Sequence, residues 1–365
     1  MTAPIAPLLS LDARYHIDPD LFQQDLAGVL ARAWQFVGHG SQLPDTGDYF
    51  AFEIAGQSLF CIRGRDGVPR TFYNAFQYRA HELVSGTGST RVIVCPYHQW
   101  TYELTGALRA APNAKTVPGV DRSRICLTET PTEDFHGVLF VNLDPDAAPM
   151  DGWFPGFLAE LAAFVPHVDN LAPLEWMEAS ENCNGKVSIE NYSECYHCPI
   201  NQPTFAEGVL RPETYDIQPD PMGGYVLRHV TECQSLDRLI YPVDLSVPHA
   251  DDHQSWFLWP MFSFQCYLGN LLNTYHWRVG DVDHRSVWRG WYRPGGAESD
   301  VIRSLAVQDR QTTVEEDIRL VEPGQRGLKS RGYRPGPPVL DPGCCVMSEH
   351  SIARLQQWMC ESVAL

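Results

Sequence analysis

Apolar positions change period once along the first third of the chain. From Asp18 to Val37 they recur at helical spacing, with Leu21, Leu26, Val29, Leu30 and Trp34, and this predicts a helix. After Gly38 the period falls to two. Residues 49–54, 58–62 and 71–74 read as short strands, with turn chemistry supplied by Gly56-Gln57 and by Arg65-Asp66-Gly67. Residues 92–94, 100–104 and 137–143 continue the strand pattern until Asp144-Pro145 closes it. The spacing predicts a small antiparallel β-sandwich domain over residues 38–148.

Beyond residue 149 the pattern is mixed. Helical segments surround residues 184–202, flanked by Phe157–Phe164 and by Pro203–Phe205. Aromatic-rich alternation returns from Gly224 to about Arg293, with Trp259–Phe264 and Thr274–Val279 as its clearest strands. Ser299 to Leu320 reads as one long acidic amphipathic helix, residues 324–342 as a Gly/Pro/Arg-rich loop, and Glu349 to Cys360 as a closing helix. The second domain is therefore assembled from residues 1–37 and 149–365, and the chain as a whole falls in the α+β class.

Composition narrows the function classes. The chain has 365 residues, 44% hydrophobic and 20% charged, which suits two folded domains. Its formal net charge of −18 argues against nucleic acid or an anionic membrane as partner. No apolar run approaches the roughly 18 residues of a membrane span, and no secretory leader pattern opens the sequence. The 11 cysteines form no repeated framework, so a cytoplasmic protein with reduced thiols is expected.

Candidate chemistry sits in two places. Cys95-Pro96-Tyr97-His98 presents a Cys-x-x-His pair of the kind found in one ligand loop of a Rieske [2Fe–2S] centre, which needs two Cys on one iron and two His on the other. The segment Asn74–Leu83 resembles the other loop, and the 16 residues 79–94 separate the two at normal spacing. Its ligand positions read Phe76 and Tyr78. Together with Glu190–Phe205, Glu315–Leu328 and Ser348-Glu349-His350, these segments follow in family order, and the chain resembles the α subunit of Rieske non-haem iron oxygenases, nearest to the branch acting on quaternary ammonium compounds such as glycine betaine.

That resemblance implies a Rieske-like domain and a START-like helix-grip domain with a curved antiparallel sheet. It also implies a mononuclear iron in a two-His, one-carboxylate triad, whose positions here read His197, Gln202 and Asp317. Glu194 matches the acid that bridges to a cluster histidine across a subunit interface. Trp259, Phe264 and Trp277 belong to an aromatic group that would suit a cation cage.

Three replaced ligands in two sites lead to the expectation of a catalytically degenerate subunit, a pseudoenzyme not active alone. It would hold no [2Fe–2S] cluster at Cys95 and His98, and at most weak Fe(II) at His197 and Asp317. Its partner would be an intact oxygenase α paralogue in a trimer-based assembly, served by a ferredoxin or flavin reductase. Two other readings are an active monooxygenase or demethylase using iron at His197, Gln202 and Asp317, and a binding module for small cations.

Overall fold

The computed structural model describes residues 9–112, 121–219, 223–233, 235, 236, 239, 241–294 and 299–363. Its contacts divide the chain into two compact units, Leu30–Ala148 and Met1–Val29 with Pro149–Leu365.

The smaller unit is antiparallel throughout. A five-stranded sheet runs in the order Thr87–Ser89, Asp48–Ile54, Gln57–Arg63, Pro69–Tyr73, Glu129–Thr130. Gln35–His39, Val138–Val141 and Thr132–Phe135 form a second sheet, and Ile93–Val94, Thr101–Tyr102 and Leu108–Ala110 a third. The first hairpin pairs Ile54 with Gln57 and turns on Ala55 and Gly56, both at positive φ (48° and 74°), the two-residue geometry whose twist matches its strands. Phe60, Ile62, Phe72 and Tyr102 meet in one core beneath the loops that carry Phe76 and Cys95.

In the larger unit, seven antiparallel strands are ordered Leu171–Glu181, Arg285–Pro294, Leu271–Val279, Phe262–Tyr267, Asp252–Leu258, Val226–Glu232, Asp216–Pro219. The expected helix-grip, START-like arrangement is corrected here. The sheet is open, with separate edges at Leu171–Glu181 and Asp216–Pro219, and is not strongly curled. It does not wrap one helix. Gly185–Tyr192 packs on Leu271–Val279, Asp300–Asp309 on Leu171–Glu181 and Arg285–Pro294, and His350–Val363 on Asp216–Pro219.

Two predicted helices differ in detail. The segment 18–37 breaks at Gly28 into Pro19–Ala27 and Val29–Arg32, then becomes the strand Gln35–His39. The helix predicted to end at Leu320 is interrupted by a π-helical turn, Arg310–Val314, and continues through Pro323 to Leu328. Tertiary bonds explain the extension: Gln325 accepts from the backbone N–H of Asn184 at 3.0 Å and donates to Asp283 at 2.9 Å. Local propensity alone would have ended it. Among the described residues no helix is long and apolar enough to cross a membrane.

Candidate functional site

The helix Gly185–Tyr192 begins at Asn184, whose side chain accepts from the Lys186 N–H at 2.9 Å. Buried charges hold it in place. Lys186 pairs with Asp25, and Glu190 accepts from Gln356 at 2.9 Å and lies 3.1 Å from His16. Leaving Lys186 or Asp25 unpaired would cost several kcal/mol, so this buried pair fixes the helix, and the bonds of the partly buried Glu190 add to it.

The end of this helix delivers the site. Asn191 donates to Asp317 Oδ1 at 2.9 Å, and the Gln202 amide donates to the same oxygen at 2.6 Å. His197 Nε2 stands 3.8 Å from it. The other ring nitrogen, Nδ1, bonds Glu194, whose carboxylate also accepts from the backbone N–H of Tyr196 and of His197. A carboxylate can only accept, so Nδ1 carries a proton, and Nε2, which faces Asp317 and Gln202, is the nitrogen that offers a lone pair whenever the ring is neutral. The structure thus brings His197, Gln202 and Asp317 together and turns Glu194 onto its own chain's histidine.

Electrostatics follow from burial. It pushes the Asp317 carboxyl up to about 7, against the stabilising charge of His197 and the Asn191 hydrogen bond. Burial also opposes the charged form of His197, but the bond and charge of Glu194, with the charge of Asp317, outweigh it and raise that imidazole above its ordinary value.

These residues fit a mononuclear divalent ion: one imidazole nitrogen, one carboxylate, and one amide whose oxygen and nitrogen exchange on a half-turn of the terminal group. Among the described residues no group of three His, Cys, Asp or Glu side chains is placed to hold a metal, so the amide has to be counted. Cys195 and Cys198, expected as thiols, are joined as a disulfide beside this site; three residues of separation at the start of the helix Cys198–Asn201 bring their Cα atoms to 4.9 Å.

His197, Gln202 and Asp317 line a small cavity, and a larger one of about 330 Å³ opens beside it and shares Phe205, Tyr267 and Thr313 with it. Rings of Phe205, Tyr241, Tyr267 and Trp291 and the carboxylates of Glu207 and Asp309 line it. Trp259, Phe264 and Trp277 line neither cavity. They are core: Trp259 packs on Trp358, Phe264 on Phe157, and Trp277 on Tyr192 with its N–H donated to Ser188. The pocket residues come from five separate stretches of chain, and no local spacing marks them as one group.

In the smaller unit, Cys95 is fully buried, and His98 Nδ1 is buried without a hydrogen-bond partner, as a ligand atom would be. Facing them, the Phe76 ring is 1% exposed and lies 6.0 Å from the His98 ring, and Tyr78 stacks on Trp100 at 5.7 Å. Two of the four ligand positions of a [2Fe–2S] centre thus carry ligands and two carry rings. Phe76 and Tyr78 offer neither thiolate nor imidazole, so Cys95 and His98 are the two ligands of that set present in these loops.

Comparison with known proteins places both units. Residues 33–121 match the Rieske [2Fe-2S] domain, and residues 168–364 match the ring hydroxylating alpha subunit (catalytic domain). The carnitine monooxygenase oxygenase subunit of Escherichia coli (strain K12) is 32% identical over 358 residues, covering 96% of this chain and 93% of that one. The glycine betaine monooxygenase oxygenase subunit of Pseudomonas aeruginosa (strain UCBPP-PA14) is 26% identical, covering 90% and 84%. A solved quaternary ammonium Rieske monooxygenase superposes with a TM-score of 0.87 at 28% identity over 98% of this chain and 96% of that one.

These matches overturn several expectations. The chain is not a degenerate accessory subunit or pseudoenzyme, because catalytic oxygenase subunits match it nearly end to end. The expectation of no [2Fe–2S] cofactor is overturned by the match of the smaller unit to the cluster-bearing domain. The helix-grip assignment gives way to the α+β catalytic domain of these oxygenases, shared with the solved enzyme. The reading of an active enzyme, placed second from sequence, fits better than the reading placed first. The chain belongs to the Rieske-type ring-hydroxylating oxygenase α-subunit family.

Proposed function

We propose that this chain is the catalytic oxygenase subunit of a monooxygenase acting on a small quaternary ammonium compound, with iron held by His197, Gln202 and Asp317. One observation carries the reading: the aromatic, acidic 330 Å³ pocket is continuous in its lining with the cavity that contains His197 and Asp317. A permanent cation cannot shed charge to escape burial, and ring faces stabilise it by roughly 0.5–2 kcal/mol each. Four rings and the Glu207 carboxylate therefore favour such a ligand over a neutral one of equal size, while Asp309 is already paired with Arg289. The relatives named for carnitine and for glycine betaine, both quaternary ammonium compounds, support the same class.

Bound iron would supply the dioxygen chemistry of the site. The chain's own residues prepare it. Glu194 fixes the tautomer of the neutral His197 ring, leaving Nε2 as the nitrogen whose lone pair a metal takes in place of a proton. Asn191 restrains Asp317. With its carboxyl held near 7, Asp317 carries a proton for part of the time at neutral pH and gives it up when a cation binds, so metal affinity rises with pH through that range. The subunit works within a trimer-based assembly of oxygenase subunits, copies of this chain or a paralogue, and draws electrons from a separate ferredoxin or flavin reductase.

The test is oxygen uptake by the Fe(II)-loaded protein with a reductase and electron donor. Carnitine, γ-butyrobetaine and glycine betaine are offered beside neutral isosteres in which carbon replaces nitrogen. Uptake that tracks a quaternary ammonium substrate, yields its oxidised or demethylated product, and falls to background in His197→Ala supports the reading. Uptake indifferent to the positive charge would overturn it.

A further inference from the structure

The Cys195–Cys198 disulfide brackets His197 and forms part of the lining of the metal cavity. Both cysteines are buried, against Leu210 and Val346. Cys198 Sγ lies 4.0 Å from His197 Nε2, the ring nitrogen that also faces Asp317 Oδ1 at 3.8 Å. Ligands on one tetrahedral ion, at about 2.1 Å for nitrogen or oxygen and about 2.3 Å for sulfur, stand roughly 3.4–3.6 Å apart. Both observed separations exceed that range by only a few tenths of an ångström. An ion bound at Nε2 therefore has Cys198 within reach, and the disulfide bond is what withholds the sulfur. The third position otherwise falls to Gln202, a neutral amide and the weakest donor of the set.

We propose that a dithiol reductant opens this disulfide and that the Cys198 thiolate then becomes a metal ligand beside His197 Nε2 and Asp317. The inference rests on the reading of His197 and Asp317 as metal ligands. In the first step the dithiol is oxidised to its own disulfide, and Cys195 and Cys198 each gain one electron and one proton as their S–S bond breaks. In the second, the Cys198 proton leaves to solvent as the sulfur–metal bond forms. A thiolate restores the negative charge and softness that the amide lacks, so the occupant is an ion of the Fe(II), Co(II) or Zn(II) kind and not Mg(II). Cys195 is the partner that withholds Cys198, not a ligand.

Anaerobic titration of the full-length protein with Co(II) tests this, after oxidation or after reduction and removal of the reductant. The reduced protein is expected to bind at least about 10-fold more tightly, a scale that even outer-shell partners of metal ligands reach. It should also show near-ultraviolet thiolate-to-cobalt absorption that the oxidised protein lacks. Cys195→Ser should show that band without reductant. Cys198→Ser should bind as the oxidised protein does and lack the band. Loss of the band in His197→Ala separates it from cobalt on the exposed Cys126 and Cys360, and circular dichroism confirms that the variants fold. Co(II) bound by reduced protein without the band, or a band retained in Cys198→Ser, overturns the inference and leaves the His197–Asp317 site standing. Binding unaffected by His197→Ala in either redox state overturns both.

Discussion

Around Asp317 in the larger unit, the position where the family places its second histidine holds Gln202, which keeps a hydrogen bond of 2.6 Å to the carboxylate. In the cluster loops of the smaller unit, the two exchanged positions hold Phe76, which is buried against His98 and Trp100, and Tyr78, which lies on the Trp100 face. Gln202 is polar and bonds a buried carboxyl of raised pKa; Phe76 is an apolar ring packed in the core. The contrast separates two uses of a ligand position. A side chain there can stay in the hydrogen-bond network of a titrating site, or it can become part of the domain's core, and the energetic signatures differ.

The largest effect expected from this contrast is at Phe76. Its replacement by alanine should destabilise the smaller unit by about 3–5 kcal/mol in denaturant titrations, the usual cost of a large cavity in a packed core. Tyr78→Ala, at a ring that is 61% exposed, should cost under about 1 kcal/mol. Equal costs would mean that the stack acts as a unit.

Next is Asp317→Asn in metal-free protein. The carboxyl has a higher pKa folded (about 7) than unfolded (3.8), so between those values the native state holds a proton that the unfolded chain has released. That contribution to stability is full below the unfolded value and is lost as pH rises through about 7. The neutral variant should therefore exceed wild type in stability at pH 8 by on the order of 1–3 kcal/mol, with the gain vanishing toward pH 4 in calorimetric melts. A gain that grows on acidification would refute the burial argument.

Gln202→His sharpens the metal side of the comparison. An imidazole in place of the amide should tighten Fe(II) or Co(II) binding by about 10–100-fold in equilibrium dialysis, with no comparable change from altering Phe76. The smallest expected effect is in the pocket. Trp291→Ala should weaken binding of a quaternary ammonium ligand by about 3- to 30-fold while leaving a neutral isostere within about 2-fold, measured calorimetrically.

Much of this was legible in the chain before its structure. Gly56 and the alternation around it mark a hairpin because a tight turn at positive φ favours the residue, whereas strand pairing begins at Gln35, inside the segment whose period reads as helical up to Val37. The grouping of His197, Gln202 and Asp317 came from resemblance, since residues more than a hundred positions apart share no local period. The pocket was not legible. Alternation along Trp256–Phe264 and Thr274–Trp277 marks faces of strands, but helices and loops bury both faces of this sheet, so aromatic spacing could not separate Trp277, packed on Tyr192, from Trp291, which lines the cavity. The run through Pro323 to Leu328 was hidden for a related reason: the bonds of Gln325 to Asn184 and Asp283 outweigh local helix propensity.

The central claim is that the aromatic pocket and the His197–Asp317 metal site are one active site. Proton relaxation of the N-methyl groups of a quaternary ammonium ligand, measured with Co(II)-loaded protein, tests it most directly. The account predicts strong paramagnetic relaxation of those protons, falling to the metal-free rate in His197→Ala and reduced in Trp291→Ala in step with lost affinity. Methyl protons that bind yet relax as in metal-free protein, although Co(II) occupies the His197–Asp317 site, would contradict it.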